Sequence, residues 1–236
     1  MATLTALAPV ARTLLINTPN NPSGVIYGRA TLDGIARAAM AKDLWLISDE
    51  VYDTQVWEGT HISPRTLPGM AERTLVVGSM SKSHAMTGSR LGWIVADPAV
   101  IEAVTVLATN TTYGVPAFVQ DAALFALNQG EAFEERIAAP FRRRRGIARD
   151  VLGQSRALRL IPADGAMYVM FDVRATGLSG NDFALRLLEE ERIAVMPGES
   201  FGTASAGHIR VAMTVADDAL AEALARLGAF AEGLVG

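Results

Sequence analysis

The sequence predicts an α/β fold built on a mostly parallel sheet, and three observations carry that prediction. Apolar, β-branched runs recur at residues 13–16, 44–47 and 74–77, with starts 31 and 30 residues apart. Each run is continuous rather than alternating, the pattern of a strand buried on both faces. Between the first two runs, Leu32, Ile35, Ala36, Ala39 and Met40 fall at helical spacing within 31–43. A strand–helix–strand unit of about thirty residues implies parallel strands joined by a right-handed crossover. Polar groups follow each run at once: Asn17-Thr18-Pro19-Asn20-Asn21-Pro22-Ser23-Gly24, Ser48-Asp49-Glu50-Val51-Tyr52 and Ser79-Met80-Ser81-Lys82. Ligands of open parallel sheets bind beyond the carboxyl ends of the strands, so these groups are expected along one sheet edge.

The remaining elements follow in order. One short segment at 4–10 precedes the first strand. Residues 90–96 read as a further strand closed by Asp97-Pro98, which also caps a helix running to about residue 108. Pro116 opens a helix to 128. A longer one over 131–153 contains Pro140, where a kink is expected. Its run Arg142-Arg143-Arg144-Arg145 lies among Glu131, Glu134, Glu135 and Asp150, so it reads as a solvated face rather than a polyanion site. Beyond residue 155 the elements shorten. Strands are expected at 158–161, 166–173, 193–196 and 208–213, helices at 181–192 and 217–234, and a loop at 197–202. The predicted organisation is a partial large domain over 1–143 and a small α+β domain over 144–236.

Composition bounds the function. Half of the 236 residues are apolar and 19% are charged, enough for a sizeable core. The net charge of −4 disfavours a nucleic-acid or anionic-membrane binder. The absence of cysteine excludes disulfides, thiolate zinc sites and cysteine nucleophiles. His61, His84 and His208 show no metal-ligand spacing, and no metal is expected. No apolar run reaches the roughly 20 residues that span a bilayer, and the start lacks a secretory pattern, so a cytoplasmic setting is expected.

The most informative stretch is Ser79-Met80-Ser81-Lys82-Ser83-His84-Ala85-Met86-Thr87-Gly88-Ser89-Arg90. A lysine amine can condense with an aldehyde to a Schiff base, as catalytic lysines do. Neighbouring hydroxyls and a guanidinium suit a phosphate. A cofactor carrying both an aldehyde and a phosphate is pyridoxal phosphate. On this stretch alone, a surface Lys and Arg flanking an ordinary loop is an equal alternative.

Taken together, Asn21-Pro22-Ser23-Gly24, Ser48-Asp49-Glu50-Val51-Tyr52 and Ser79-Met80-Ser81-Lys82 with Arg90 resemble the class I/II aminotransferases, fold-type I pyridoxal-phosphate enzymes of the aspartate aminotransferase kind. His208-Ile209-Arg210 matches the position of the family's carboxylate-binding arginine, and the Gly165–Tyr168 and Gly198–Gly202 stretches fit as well. The resemblance spans essentially the whole chain. It implies Lys82 as the Schiff-base lysine and proton shuttle, and Asp49 as the partner of the pyridine nitrogen. Tyr52 and Asn21 are implied on the ring oxygen. Ser79, Arg90 and, less directly, Ser81 are implied on the phosphate, and Arg210 on the substrate carboxylate. Singly, the Asn21 motif could be a turn, Asp49 a helix cap and Arg210 a strand-surface charge.

Stretches such as Leu67-Pro68-Gly69-Met70-Ala71-Glu72-Arg73-Thr74 and Ala206-Gly207-His208-Ile209-Arg210 resemble one branch of that family, the arginine–pyruvate transaminases. The implied function is transfer of an amino group from an amino acid to a 2-oxo acid, by a homodimer. Two alternatives stay open: a truncated, catalytically incomplete module, and a lyase on the same fold. The family's N-terminal portion has no counterpart in the chain. That portion carries a phosphate-cradling helix turn, an aromatic ring stacked on the cofactor and residues completing the partner's site. An open apolar edge or face is therefore expected.

Overall fold

A computed structural model describes residues 11–235, so the segment read at 4–10 lies outside the described residues. The chain divides into two compact units. The first takes the described residues up to Pro19 together with Ile26–Ile137; the second takes Asn20–Val25 and the residues from Ala138 onward. The break falls inside a helix, where the sequence reading puts a boundary after residue 143.

In the first unit, β1 (Thr13–Asn17), β2 (Trp45–Asp49), β3 (Thr74–Ser79) and β4 (Gly92–Val95) form one sheet in that order. The first three are parallel, and β4 runs antiparallel to β3. Helix α1 (Arg29–Ala41) connects β1 to β2. It packs Leu32, Ile35, Ala36 and Ala39 against Ile16, Leu44, Leu46, Leu67 and Met70. This is the predicted unit, and its apolar stripe faces the sheet because the helical and strand periods agree. A one-turn helix, α2 (Met80–Ser83), follows β3 directly. Gly78 lies opposite Trp93, where a Cβ would sit 2.3 Å from the indole, so only glycine lets the ring lie on β3.

Burial on both faces, expected from the continuous apolar runs, is not what the sheet shows. Leu15 is 65% exposed, Trp45 is exposed, and β4 is exposed along its whole length. The described residues cover one face, so the other presents its apolar side chains. The next helices continue this surface. Helix α3 (Pro98–Thr111) has no buried residue, and α4 (Ala117–Leu127) buries only Ala123 and Ala126 while Phe118, Leu124 and Phe125 stay exposed. The open apolar face expected from the sequence is thus present. Asp97 caps α3 as predicted, accepting from the Ala99 N–H at 3.0 Å.

Helix α5 (Glu131–Leu152) runs unbroken through Pro140. In the second unit, β5 (Arg159–Ile161), β6 (Tyr168–Asp172), β7 (Met196–Pro197) and β8 (His208–Ala212) form an antiparallel sheet ordered β5-β6-β8-β7. Helices α6 (Gly180–Glu191) and α7 (Asp217–Val235) complete it. Their core gathers Phe171, Phe183, Leu187, Ile209, Met213, Leu224 and Leu227. The strand expected at 193–196 shortens to a two-residue pairing, Met196–Pro197, and Pro197, which offers no N–H, leads into a 3-10 segment, Gly198–Phe201. The arginine run is also not a merely solvated face. Arg143 and Arg144 both bond Asp217, and Arg145 Nε donates to the Ala163 carbonyl, clipping the part of α5 after residue 137 to the rest of the second unit. Gly24 belongs here too. Its carbonyl accepts from the N–H groups of Asp164 (2.9 Å) and Gly165 (2.8 Å). Its φ of +72° and a would-be Cβ 2.6 Å from that of Ala163 admit only glycine.

One ion cluster gives the second unit an acid sensitivity. Asp172, nearly buried at the end of β6, accepts from Arg174 Nε (2.9 Å), Arg174 Nη2 (2.6 Å) and Arg159 Nη2 (2.8 Å). The hydrogen bonds from Arg174 in particular, with Arg159 adding to them against the cost of burial, hold its carboxyl well below the usual carboxylate range. A depressed folded pKa stabilises above the ordinary value near 4 and loses that contribution as pH falls toward the folded one. Asp172→Asn is expected to cost about 1–2 kcal/mol at neutral pH, reduced by screening because both guanidiniums are mostly exposed. Urea unfolding at pH 7 and pH 3 checks this: the gap from the parent should narrow at the lower pH. Among the described residues no helix is long and apolar enough to cross a membrane.

Candidate active site

The carboxyl ends of β1, β2 and β3 are in register. Asn17 lies opposite Asp49, and Asp49 lies opposite Val77. Asn17 Nδ2 and the Thr18 N–H both donate to the Asp49 carbonyl, at 3.0 and 3.1 Å. The parallel pairing therefore brings Asp49, Tyr52, Ser79, Ser81 and Lys82 to one end of one sheet.

Asp49 is half-buried. Its Oδ1 accepts from the Val51 N–H at 3.2 Å, and its other oxygen has no hydrogen-bond partner among the described residues. Burial, opposed by that N–H and reinforced by the charge of Glu50, pushes its carboxyl above the ordinary value. A desolvated carboxylate with one oxygen unclaimed is suited to a cationic partner. Tyr52 is buried in the turn that leaves β2.

Lys82 rides on α2, which Met80 anchors in a pocket formed with Ala123 and Ala126 of α4. The Ser79 hydroxyl caps this turn, accepting from the Ser81 N–H at 3.1 Å. Ser83 Oγ bonds the Ser79 carbonyl and His84 Nδ1, and the His84 ring stacks on Phe133. Glu134 lies 3.7 Å from His84 Nε2, an electrostatic contact rather than a hydrogen bond. The half-buried Lys82 amine has no hydrogen-bond or ion-pair partner among the described residues. Arg90 sits exposed in a left-handed conformation, φ 53°, its Nη1 donating to the Thr87 carbonyl. That backbone is uncommon for a non-glycine residue.

The second unit holds the other two predicted residues, and they are bonded to each other. Arg210 Nη1 donates to Asn21 Oδ1 at 2.8 Å. The guanidinium lies over the rings of Tyr168 (4.2 Å) and Phe201 (4.9 Å), and its buried Nε has no hydrogen-bond partner among the described residues. A stacked guanidinium with an unpaired buried donor fits an incoming carboxylate. Roles for Tyr168 and Phe201 are not readable from their own motifs. The alternation of β6 and β8 is the available signal: Arg210 pairs with Met170, leaving Tyr168 as its diagonal neighbour. Glu50 also bonds His61 and Ser63, a trio joined only by folding.

The donor set fits pyridoxal phosphate in its chemistry: an amine without a partner, a carboxylate lacking a cation, and a buried phenol. Among the described residues no cluster of three or more His, Asp or Glu is placed to hold a metal.

Residues 2–227 match the family model for aminotransferase class I and II, and the chain belongs to that family. It is 44% identical over 230 residues to the arginine–pyruvate transaminase AruH of Pseudomonas aeruginosa, covering 98% of this chain and 58% of that protein. It is similar in structure to the aromatic aminotransferase from Pyrococcus horikoshii, with a TM-score of 0.90, 34% identity and coverage of 94% and 60% of the two chains. The aspartate aminotransferase of Thermus thermophilus with maleate gives a TM-score of 0.88 at 35% identity, covering 95% and 59%. The chain thus spans under two thirds of the length of these relatives.

Proposed function

We propose that this protein is a pyridoxal-phosphate-dependent aminotransferase moving an amino group from an amino acid to a 2-oxo acid. The observation that carries the reading is the partnerless Lys82 amine on the turn after β3, at the same end of the sheet as the half-paired Asp49 carboxylate that closes β2. Bound there, the cofactor would supply an aldehyde reactive toward amines and a ring able to accept electrons from the substrate's α-carbon. Lys82 removes the proton from that carbon as general base and returns it as general acid. Asp49 holds a proton on the ring nitrogen. Tyr52 and Asn21 would serve the ring oxygen, and Ser79, Ser81 and Arg90 would hold the phosphate. Arg210 takes the substrate α-carboxylate through its free Nε edge.

Arginine as donor and pyruvate as acceptor are the proposed pair, supported by the relative of that name at 44% identity. We further propose a cytoplasmic homodimer, which the apolar surface of α3 and α4 supports. Arg210→Lys tests the carboxylate role. An ammonium lacks the planar fork, so kcat/KM should fall about 10- to 100-fold, chiefly through KM.

The reading itself is tested by incubating the chain with pyridoxal phosphate, reducing with borohydride and mapping the adduct by peptide mass spectrometry. A single stoichiometric adduct on Lys82 is expected. Label scattered over other amines, or none, overturns the assignment of the cofactor site to this chain.

A further inference from the structure

Glu50 follows β2 directly and is bonded through both its backbone and its carboxylate, and the proposed reaction gives it no task. Its N–H donates to the Val77 carbonyl at 2.9 Å, and its carbonyl accepts from the Asp53 N–H at 3.0 Å. Its side chain is 6% exposed. One carboxylate oxygen accepts from Ser63 Oγ at 2.8 Å, and the other meets His61 Nε2 at 3.0 Å. His61 Nδ1 is buried without a hydrogen-bond partner among the described residues, so the imidazole is held only through Glu50. A buried carboxylate with two side-chain donors on it makes a fixed joint, because releasing either donor leaves a polar group unsatisfied.

The joint lies directly behind the candidate site. Asp49 precedes Glu50, and the turn that Glu50 opens carries Tyr52 to Gln55, whose own fully buried side chain reaches the Lys82 carbonyl at 3.5 Å. The charged and titratable groups around the joint are Asp49, Asp53 and His61, with Glu134 beyond Asp53 and His84 beyond Glu134.

We infer that Glu50 is a positioning residue for Asp49 and Tyr52: clamped by His61 and Ser63, it fixes their turn and keeps a second negative charge behind Asp49. The inference rests on the aminotransferase reading and deepens it. The charge of Glu50 raises the proton affinity of Asp49, acting in the same direction as burial. It therefore favours a cationic partner on the oxygen of Asp49 that carries no bond. Glu50→Gln removes the charge and keeps the size and one acceptor.

The test is a carbon-13 NMR titration of the Asp49 carboxyl in the cofactor-free chain, parent against Glu50→Gln. The Asp49 titration should move to lower pH in the variant. With cofactor, kcat should fall about tenfold while KM stays within about twofold, since the group acts on charge developed in the transition state. An unchanged Asp49 titration in a folded variant overturns the inference. If that variant does not fold, His61→Gln loosens the clamp and keeps the charge. Faster amide exchange over residues 51–55 is then expected, and unchanged exchange overturns the positioning role. A parent that takes no label on Lys82 defeats the aminotransferase reading instead, so the two failures are distinct.

Discussion

Replacing Lys82 with alanine is expected to abolish transamination while leaving the chain folded. The amine makes no hydrogen bond or ion pair among the described residues, and its turn is anchored by Met80 and capped by Ser79 rather than by the lysine. Losing it therefore removes chemistry and little packing. General acid–base catalysis by a positioned group contributes roughly 10²–10⁴-fold. Loss of the covalent attachment comes on top, so the rate should drop by at least about a thousandfold. Single-turnover kinetics with a circular-dichroism check of folding decide it. A folded variant with parental turnover would remove Lys82 from the reaction.

Asp49→Asn is expected to slow chemistry by at least about 100-fold with a much smaller change in substrate binding, the size of one preorganised electrostatic group. An amide keeps the shape and can still accept from the Val51 N–H, but it brings no charge to a protonated ring nitrogen. The effect should therefore fall on kcat. An equal loss in substrate affinity, or unchanged turnover, would move Asp49 out of the cofactor's reach.

Much of this was legible because strand ends carry chemistry. The runs at 13–16, 44–47 and 74–77 announce β1 to β3, and the parallel register sets Asn17 opposite Asp49 and Asp49 opposite Val77 at their ends, while Asn20–Val25 go to the second unit. The stripe Leu32, Ile35, Ala36 and Ala39 announces α1 and its buried face. Other features were not legible for physical reasons. Continuous apolarity states that a side chain favours burial and not that a cover is present, so Leu15 was misread as buried. Four residues are too few to show a helical period, which hid α2. The clamp on Glu50 has no signal in the sequence, because His61 and Ser63 stand 11 and 13 residues away and reach it only on folding. Arg142 to Arg145 read as solvated because Asp217 and the Ala163 carbonyl are distant in sequence.

The segment Asn20–Val25 has a consequence for how the chain is made and divided. These six residues belong to the second unit, yet they are synthesised before almost all of the first. The bonds from Asp164 and Gly165 to the Gly24 carbonyl close a loop of about 140 residues. Contacts of such long separation form late, after nearer ones have ordered. During translation the first unit can collapse while its neighbour still waits for its far half. A single protease cut after Ile137 likewise yields no pair of independent halves: one fragment keeps a clasp that serves the other. Separating the units cleanly would take breaks after Pro19, Val25 and Ile137 together.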